Sequence, residues 1–516
     1  MPHPSQHAAL GLGRLRLSVL LLPLAVAPLA AQTDQRLRDL DAYAARAARE
    51  WRAPGLAIAV VKDGRLVLAK GYGVLELGKA APVDTQTLFA IGSTTKAMTA
   101  MALAMLVDDG KVRWDDPVAT YLPGFQLSDP YLTRELTVRD LLTHRAGLPN
   151  ADYLWYGTEL TTDEILRRMR MVRPAYSMRS SFIYQNVMYA VAGKVVAVAS
   201  GMPWADFLRA RIFTPLGMTR TVASLNEASR ASNVAVPHFL IDDTVRVISN
   251  APVDAVAPAG AVWSSVADMS RWMRFVLDSG RVNGHALVKA TTFMELVRPQ
   301  TMVPASEFYP TARLTHPHWQ TYGLGWFQQD YNGHKVDFHT GSIDGMVAIV
   351  GLMLDERLGV YVLSNLDHME ARHALMLRTF DLYTGGTRDW SAELQSLYGG
   401  FRTRAVAARK DAEQRRIAGT HPSLALERYA GTYADSLYGS ATISAANGAL
   451  RLKTGTLGAT LEHWQYDTFR ARWDNRWQGT ALVTFTIGAD GRPSMVDVDG
   501  TTFRRVNESA PATSQE

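Results

Sequence analysis

The chain has 516 residues, 47% of them hydrophobic and 20% charged, a composition typical of a folded globular protein with two or three domains. Its 54 basic and 49 acidic residues give a net charge of +5, too even a balance for a nucleic-acid-binding protein. The sequence contains no cysteine, which excludes disulfides, a cysteine nucleophile and thiolate metal sites.

The first 31 residues have the layout of a secretory signal peptide. They contain no acidic residue, two arginines (Arg14 and Arg16), an apolar run over residues 17–29, and small residues up to Ala31. The run is short and interrupted by two prolines, so we expect cleavage near Ala31 and no stable membrane span. The sequence therefore predicts an exported protein, with the periplasm as the expected compartment.

The next segments predict a helix, a hairpin and a second helix. A short amphipathic helix is expected over about residues 37–51, and "GLAIAVVKDGRLVLAKGYG" predicts two strands joined at Asp63-Gly64, a dipeptide that tight turns prefer. The apolar helix that follows Ser93 should end at Asp109-Gly110, because glycine accepts the left-handed conformation of a helix end. Helices and long loops are expected from there to about residue 217.

After Gly325 the pattern changes to short apolar segments. "HKVDFHTG", "MVAIVGLML" and "LGVYVLSN" indicate an antiparallel meander, and a helix over about residues 370–383 should follow. The early hairpin and these late strands could join in one sheet. The predicted fold class is therefore α/β, with an antiparallel sheet flanked by helices and a helical subdomain, within a domain of residues 32–385.

The last part of the chain differs in kind. Residues 386–420 are polar and helical in pattern and predict a linker. Beyond them polar and apolar residues alternate with turn dipeptides at regular intervals, which predicts a small antiparallel β-barrel or sandwich over residues 421–507. Residues 508–516 are expected to form a disordered tail.

The stretch "FAIGSTTKAMTAMALAMLVDDG" contains the first candidate for catalysis. Ser93 and Lys96 are at i and i+3, so one face of a helix would place the hydroxyl beside the amine. A serine there is also an ordinary helix cap, and a lysine in the first turn is often only a solvated side chain. As a base for the serine, the lysine would need its pKa lowered by burial, for which the apolar neighbours argue.

Two further segments offer partners for this pair. Tyr184 and Asn186 form a Tyr-x-Asn triplet before a helix, where the phenol could pass a proton and the amide could orient a substrate carbonyl. "His339-Thr340-Gly341-Ser342" ends a strand, where Gly341 would allow close approach of a substrate backbone. The amide N–H of Ser342 could then join that of Ser93 as an oxyanion hole.

In this order the three motifs resemble those of the penicillin-recognising serine hydrolases, which combine Ser-x-x-Lys, a Tyr-x-Asn triplet and a Lys-Thr-Gly strand. The likeness is greatest to the branch of class C β-lactamases, D-amino-acid peptidases and esterases. It covers about residues 35–385 and includes "LLTHRAGLP", "FTPLGM" and "YGLGW". The C-terminal barrel resembles the lipocalin-like appendage of some peptidase members.

The sequence departs from this family pattern in two places. Met178 and Arg179 stand where a Pro-Gly pair is usual, so this loop must turn differently. His339 stands where the penicillin-binding enzymes carry lysine, and because histidine is mostly neutral at pH 7, strong β-lactamase activity becomes less expected. A literal Lys453-Thr454-Gly455 occurs in the predicted barrel, where its neighbours assign it to a local hairpin.

The resemblance implies an exported serine hydrolase that forms an acyl-enzyme on Ser93. Lys96 and Tyr184 would be the other catalytic residues, and the substrate or oxyanion would meet Asn186, His339, Gly341 and Ser342. The expected substrates are D-amino-acid peptides or small esters; a class C-type β-lactamase and a penicillin- or peptidoglycan-binding protein without turnover remain alternatives. No metal, other cofactor or nucleic-acid partner is predicted, and the oligomeric state is left open.

Overall fold

The computed structural model of the protein describes residues 29–506. The predicted signal peptide lies almost entirely outside the described residues, and the predicted tail lies wholly outside them. The helices in this part of the chain are α1 Leu29–Glu50, α2 Thr95–Asp108, α3 Pro130–Glu135, α4 Val138–Leu142, α5 Thr162–Arg168, α6 Val187–Ser200, α7 Trp204–Leu208, α8 Thr214–Leu216, α9 Leu225–Ala228, α10 Ala257–Gly260, α11 Val266–Leu277, α12 Ala290–Val297, α13 Ala312–Thr315, α14 Ala371–Thr384 and α15 Trp390–Arg415.

The strands form one large sheet, one closed barrel and three small two-stranded sheets within the described residues. They are β1 Gly55–Lys62, β2 Arg65–Gly73, β3 Phe89–Ala90, β4 His238–Ile241, β5 Thr244–Val247, β6 Trp263–Ser264, β7 Arg281–Val282, β8 His285–Ala286, β9 Thr301–Met302, β10 Gln320–Tyr322, β11 Phe327–Tyr331, β12 His334–Ile343, β13 Met346–Met353, β14 Leu358–Ser364, β15 Gly431–Asp435, β16 Gly439–Ala446, β17 Ala449–Thr454, β18 Leu457–Gln465, β19 Thr468–Trp473, β20 Thr480–Ile487, β21 Pro493–Val498 and β22 Thr501–Arg505.

The large sheet joins the early hairpin to the late meander, as the sequence predicted. Its strand order is β2-β1-β14-β13-β12-β11-β10-β9, all pairs antiparallel, and β1 pairs with β14 so that Leu56 faces Ser364. The predicted α/β fold class is confirmed. The three strands at the far edge, β9 to β11, were not predicted, because β9 and β10 are only two and three residues long and alternate weakly.

Strand β1 shows why both faces of the sheet are covered. Its residues from Gly55 to Val61 are all buried. Ala57 and Ala59 pack in one hydrophobic core, whereas Leu56 and Ile58 pack in the other. Since successive side chains of a strand point to opposite faces, a continuous apolar run requires a layer of helices on each side. Helix α11 packs on β1 and β14, and helix α14 packs against β13 and β14.

Helix α2 lies inside the protein. Twelve of its fourteen residues are buried, and it contacts α6, α7, α10 and α12. A helix that is apolar all round, as this alanine- and methionine-rich one is, needs such surroundings. Ser93 does not belong to the helix itself: it lies in the 3₁₀ turn Gly92–Thr94 immediately before Thr95.

The C-terminal strands close into an eight-stranded barrel, β15 to β22, within the described residues. Polar and apolar residues alternate because one face of each strand lines the packed interior, which includes Tyr429, Leu452 and Phe485. The predicted linker contains the 26-residue helix α15, which is buried only near its start. Within residues 29–506 no single helix has the length and apolarity to cross a membrane. Helix α6 and the segment Trp204–Leu216, which are bent relative to each other, meet this criterion of length and composition only when they are taken together.

The loop that lacks the family Pro-Gly pair turns through Arg179, which adopts a left-handed φ of 66°. Its guanidinium donates to the buried carboxylate of Asp140 at 2.7 Å, and Arg145 donates to the same carboxylate at 2.8 Å. These bonds hold the pKa of Asp140 below its usual value although burial acts in the opposite direction as the largest single effect. A non-glycine residue in this conformation is strained, so the ion pair offsets the strain.

We expect Asp140→Ala to lower the free energy of unfolding by about 3 kcal/mol, because it leaves two arginines beside an apolar interior without their carboxylate. Thermal unfolding by calorimetry measures the change, and Asp411→Ala, an exposed carboxylate on α15, is the matched control. Because the folded-state pKa of Asp140 is lowered, its contribution is present above the unfolded pKa near 3.8 and is lost as the pH falls below it. Equal melting temperatures for the two variants would contradict this role.

Candidate active site

A cleft of about 430 Å³ lies between the large sheet and the helical part of the catalytic domain. Strand β12, the turn before α2 and the loops around residues 152 and 184 supply its walls. The residues that line it include Ser93, Asp152, Trp155, Tyr156, Tyr184, Asn186, Glu307, Tyr309, Phe327, Thr340, Ser342 and Asp344. Four of the seven predicted site residues, Ser93, Tyr184, Asn186 and Ser342, are thus in one cavity, with Lys96 and Gly341 directly behind Ser93.

The amine of Lys96 lies within hydrogen-bond distance of three oxygens. Its Nζ is 2.9 Å from Ser93 Oγ, 2.7 Å from Asn186 Oδ1 and 2.9 Å from the carbonyl oxygen of Ala259. The amide and carbonyl oxygens can only accept, so they hold two N–H groups of the amine. The third position faces Ser93, the one partner of the three that can also donate a proton.

Burial of Lys96 determines its protonation. The side chain has no exposed surface, and loss of hydration lowers its pKa to about 7, although the negative charge of Asp152 raises it in part. A neutral amine has two N–H groups and one lone pair. With its N–H groups on Asn186 and Ala259, the lone pair points to the Ser93 hydroxyl, which is the geometry that a general base requires.

Asn186 connects this amine to a carboxylate that the sequence did not indicate. Its Nδ2 donates to both oxygens of Asp152 at 3.0 Å, which fixes the amide so that Oδ1 faces Lys96. Trp155 Nε1 donates to the same carboxylate at 2.8 Å. Both the oxygen and the nitrogen of the Asn186 amide are therefore bonded within the protein, and in this arrangement Asn186 positions the amine of Lys96.

Tyr184 lies on the other side of the nucleophile. Burial raises the pKa of its phenol well above 10, although the nearby Ser93 hydroxyl acts in the opposite direction, so the phenol is neutral. The Lys96 amine is 4.8 Å from the centre of the Tyr184 ring. A neutral phenol beside the serine hydroxyl can relay or donate a proton, whereas Lys96 is the better base.

His144, from the segment "LLTHRAGLP", supports the Tyr184 loop. Its ring lies 4.3 Å from that of Tyr184, and its Nδ1 accepts the backbone N–H of Gln185 at 3.1 Å. Burial, followed by the charge of Lys96, holds its pKa well below 6.5, so it is neutral. The residue adopts a left-handed φ of 56°, which periodicity in the sequence does not reveal.

His339 stands behind the cleft wall. Its Nε2 is 3.0 Å from the hydroxyl of Tyr322 and its Nδ1 is 2.6 Å from the carbonyl oxygen of Thr340. Burial, with a smaller effect of Lys96, lowers its pKa to about 3. Because neighbouring residues of a strand face opposite sides, Thr340 and Ser342 line the cleft and His339 does not. A neutral histidine with both nitrogens engaged packs against Tyr184 and is not a cation for a substrate carboxylate.

Gly341 allows close approach of the protein's own backbone. A Cβ on this residue would lie 1.9 Å from the carbonyl oxygen of Ile91, and one on Gly92 would lie 2.7 Å from the backbone nitrogen of Ser342. Gly92 also adopts a φ of 52°. The turn that carries Ser93 therefore rests directly on β12, which brings the backbone N–H groups of Ser93 and Ser342 to the same end of the cleft. Two backbone N–H donors of this kind can form an oxyanion hole.

Sequence reasoning missed Asp152 and His144 because isolated polar residues in loops carry no pattern of their own. The only available signal was their place within or just after the quoted "LLTHRAGLP" segment. The literal Lys453-Thr454-Gly455 triplet lies on the barrel, with Lys453 exposed on β17. No group of three or more histidine or acidic residues that could hold a metal ion occurs among the described residues.

Comparisons with known proteins show the family to which the chain belongs. The Beta-lactamase family model matches residues 35–381, and a domain of unknown function, DUF3471, matches residues 415–510. An unguisins hydrolase of Aspergillus campestris is 28% identical over 412 residues, which cover 76% of this chain and 75% of that protein. Penicillin-binding protein 4 of Amycolatopsis lactamdurans is 30% identical over 328 residues, 61% of this chain and 82% of that protein.

A second unguisins hydrolase, from Aspergillus violaceofuscus, is 28% identical, and the match spans 61% of its length. Among solved structures, the octameric penicillin-binding protein homologue from Pyrococcus abyssi has a TM-score of 0.60 at 21% identity and covers 91% of this chain and 99% of that one. SurE with D-Leu has a TM-score of 0.52 at 21% identity, and the match covers 92% of this chain and 100% of that one. The two structural likenesses concern the fold alone.

The family model and the named relatives assign the protein to the class of serine hydrolases of the β-lactamase and penicillin-binding type. With the family model matched over most of residues 29–506, the chain belongs to the Beta-lactamase family. Its C-terminal barrel is an addition to the domain that this family model covers.

The lowered pKa of Lys96 predicts a specific pH dependence. With the free amine as the expected base, kcat/KM for a neutral ester should rise with pH through a value near 7 and then level off. Asp152→Asn removes the charge that raises this pKa, so its profile should rise at lower pH. Asp163→Asn, an exposed carboxylate on α5, is the control. Superimposable profiles for Asp152→Asn and the parent protein would contradict the electrostatic link.

Proposed function

We propose that the protein is an exported serine hydrolase that forms an acyl-enzyme on Ser93 and cleaves amide or ester bonds of D-amino-acid peptides or small esters. The observation that carries this proposal is the 2.9 Å contact between Ser93 Oγ and an amine with a pKa near 7. Export is supported by the charge and hydropathy pattern of residues 1–31.

In the first half of the reaction, Ser93 Oγ attacks the substrate carbonyl carbon while Lys96 accepts its proton. The negative charge that forms on the carbonyl oxygen meets the N–H groups of Ser93 and Ser342. When the tetrahedral intermediate collapses, the leaving amine or alcohol takes a proton from Lys96 through the neutral phenol of Tyr184. The products of this half are the released group and an ester on Ser93.

In the second half, water attacks the ester and Lys96 accepts the proton of that water. Collapse of the second intermediate releases the acid and returns the proton to Ser93. Asp152 and Asn186 keep the amine aimed at the reacting oxygen in both halves. A neutral Lys96 at the start of each half is therefore the condition for turnover.

The charged residues that line the cleft indicate which substrates it favours. Its lining contains the carboxylates of Asp152, Glu307 and Asp344, and no arginine or lysine lines it among the described residues. Arg372 lies behind Ser342, 2.9 Å from its hydroxyl, but is paired with Glu370. A substrate whose carboxylate must sit beside the reacting bond therefore finds no unpaired cation there, which favours esters and amides without an adjacent carboxylate over β-lactams. The D-amino-acid preference is supported by the family branch and by one structural relative, SurE, whose structure was solved with D-Leu.

The test compares Ser93→Ala with Ser444→Ala, an exposed serine on the barrel. We expect Ser93→Ala to reduce hydrolysis of D-alanine p-nitroanilide and p-nitrophenyl acetate by on the order of 10⁴-fold or more, and Ser444→Ala to leave it unchanged. Unaltered hydrolysis by Ser93→Ala would overturn the proposal.

Intact mass after incubation with penicillin separates the alternatives. A stable adduct on the parent protein, combined with no hydrolysis of either substrate, would favour a binding protein without turnover. Rapid loss of the adduct with nitrocefin hydrolysis would favour a β-lactamase. The proposed peptidase or esterase should hydrolyse the anilide or ester much faster than nitrocefin.

A further inference from the structure

One end of the barrel contacts the catalytic domain beside the cleft. The backbone N–H of Thr456, in the turn between β17 and β18, donates to the carbonyl of Gly157 at 2.9 Å. Arg168 donates to the carbonyl of Leu437, in the turn between β15 and β16, at 2.8 Å. A Cβ on Gly455 would lie 2.2 Å from the Gly157 oxygen, so the two domains meet at backbone distance.

A cavity of about 360 Å³ remains at this junction, within the usual range of small-molecule sites. Its walls come from residues 153–160 of the catalytic domain and from strand ends of the barrel. The large apolar and aromatic members are Tyr153, Leu160, Tyr438, Leu457, Trp473 and Phe503. Tyr153 and Tyr438 approach edge to face with ring centres 6.4 Å apart.

The charged groups of this cavity are few. Arg168 is bound to the carboxylate of Glu164 at 2.6 Å as well as to the Leu437 carbonyl, so its charge is offset in part, since Glu164 also pairs with Arg167. Glu159 and Asp499 are exposed acids that contribute to the lining. Such a site favours an uncharged aromatic or branched aliphatic group and disfavours an anion.

The cavity and the catalytic cleft share a wall. Tyr156 lines both, and its hydroxyl donates to Asp344 at 2.7 Å. Trp477, from the barrel, donates to the same Asp344 oxygen at 2.9 Å. Asp152 and Trp155, from the same segment as Tyr156, line the cleft. Residues 151–160 thus form a partition, which we call the shared wall, with the nucleophile on one side and the barrel cavity on the other.

We propose that the barrel cavity is a remote subsite for one aromatic or branched aliphatic side chain of a peptide substrate whose scissile bond lies at Ser93. This inference rests on the proposed function. The occupant follows from the apolar lining contributed by both domains and from the position of Tyr156, which borders this cavity and the catalytic cleft. An elongated substrate spans the shared wall, whereas a single amino-acid derivative fills only the cleft.

The experiment measures kcat/KM for two series of D-alanine peptides on the full-length protein. One series extends D-alanine p-nitroanilide on the acyl side, and the other extends D-Ala-D-Ala on the leaving-group side. Each carries D-Phe or D-Ala at successive positions. We expect one position of one series to gain roughly tenfold or more from D-Phe, the effect of burying one such side chain.

Leu457→Trp should fill the cavity and abolish the D-Phe gain, measured within this variant as the ratio of kcat/KM for the D-Phe and D-Ala peptides. Ala489→Trp adds the same side chain in the turn between β20 and β21, at the opposite end of the barrel, and should retain the gain. Circular dichroism verifies that both variants fold. If Leu457→Trp does not fold, two measurements still test the subsite: the position-dependent gain on the parent protein, and binding of the D-Phe peptide to Ser93→Ala by calorimetry.

The outcomes are distinguishable. No hydrolysis of any short reference substrate means that the proposed function is wrong. Hydrolysis of the reference with no D-Phe gain at any position, or a gain that Leu457→Trp retains, overturns the subsite. Binding of free D-Phe amide to Ser93→Ala without competition from the extended peptide would also overturn it, because the cavity would then be a separate small-molecule site.

Discussion

The amine of Lys96 is buried without any water-exposed surface, and the arrangement of the cleft follows from that constraint. Removing an ammonium group from water is costly, so burial favours the neutral form and brings its pKa to about 7. The position of the residue in the first turn of α2 acts in the same direction, since the amino end of a helix carries partial positive charge. Asn186 and the Ala259 carbonyl then satisfy its two N–H groups, which leaves the lone pair for Ser93.

The same constraint explains why neighbouring residues have partners inside the protein. Asn186 cannot turn its amide group because Asp152 binds the Nδ2 end. Burial keeps the Tyr184 phenol neutral, as it favours the neutral form of the Lys96 amine. His144 packs against the Tyr184 ring. In the proposed mechanism each group therefore has one dominant role: Lys96 accepts the proton, Tyr184 passes it, and Asn186 and Asp152 position the amine.

The candidate site was predictable where residues are linked by local spacing or belong to a motif that resembles a known family, and not where isolated loop residues meet through the fold. Ser93 and Lys96 are three residues apart, and a single turn brings them together whatever the rest of the fold. Asp152 lies in a loop with no periodic pattern, so its contact with Asn186 depends on tertiary structure alone. The strand that contains His339 was predicted, but a strand pattern does not tell which of two neighbouring residues faces the cleft. In the structure Thr340 faces the cleft and His339 does not.

The fold was predictable to a similar degree and for similar reasons. Continuous apolar strands such as β1 and β14 indicate a sheet buried on both faces, whereas short edge strands such as β9 carry too little pattern. Alternation in residues 421–507 indicates antiparallel strands, but it is common to barrels and sandwiches, and closure depends on strand pairing over a long sequence distance. The conformation of Arg179 was unpredictable because its stability comes from Asp140, 39 residues away.

The shared wall has a consequence for how such a protein can diversify. Its residues are contacted by turns of the barrel, while Ser93 and Lys96 are enclosed by the other domain. Changes of sequence in those turns can alter the shape of the wall near Tyr156 and Gly157 without replacing any residue of the proposed proton transfers. In laboratory evolution, libraries confined to the barrel turns would thus separate selectivity from reactivity, two properties that are usually entangled when an active site is mutated directly.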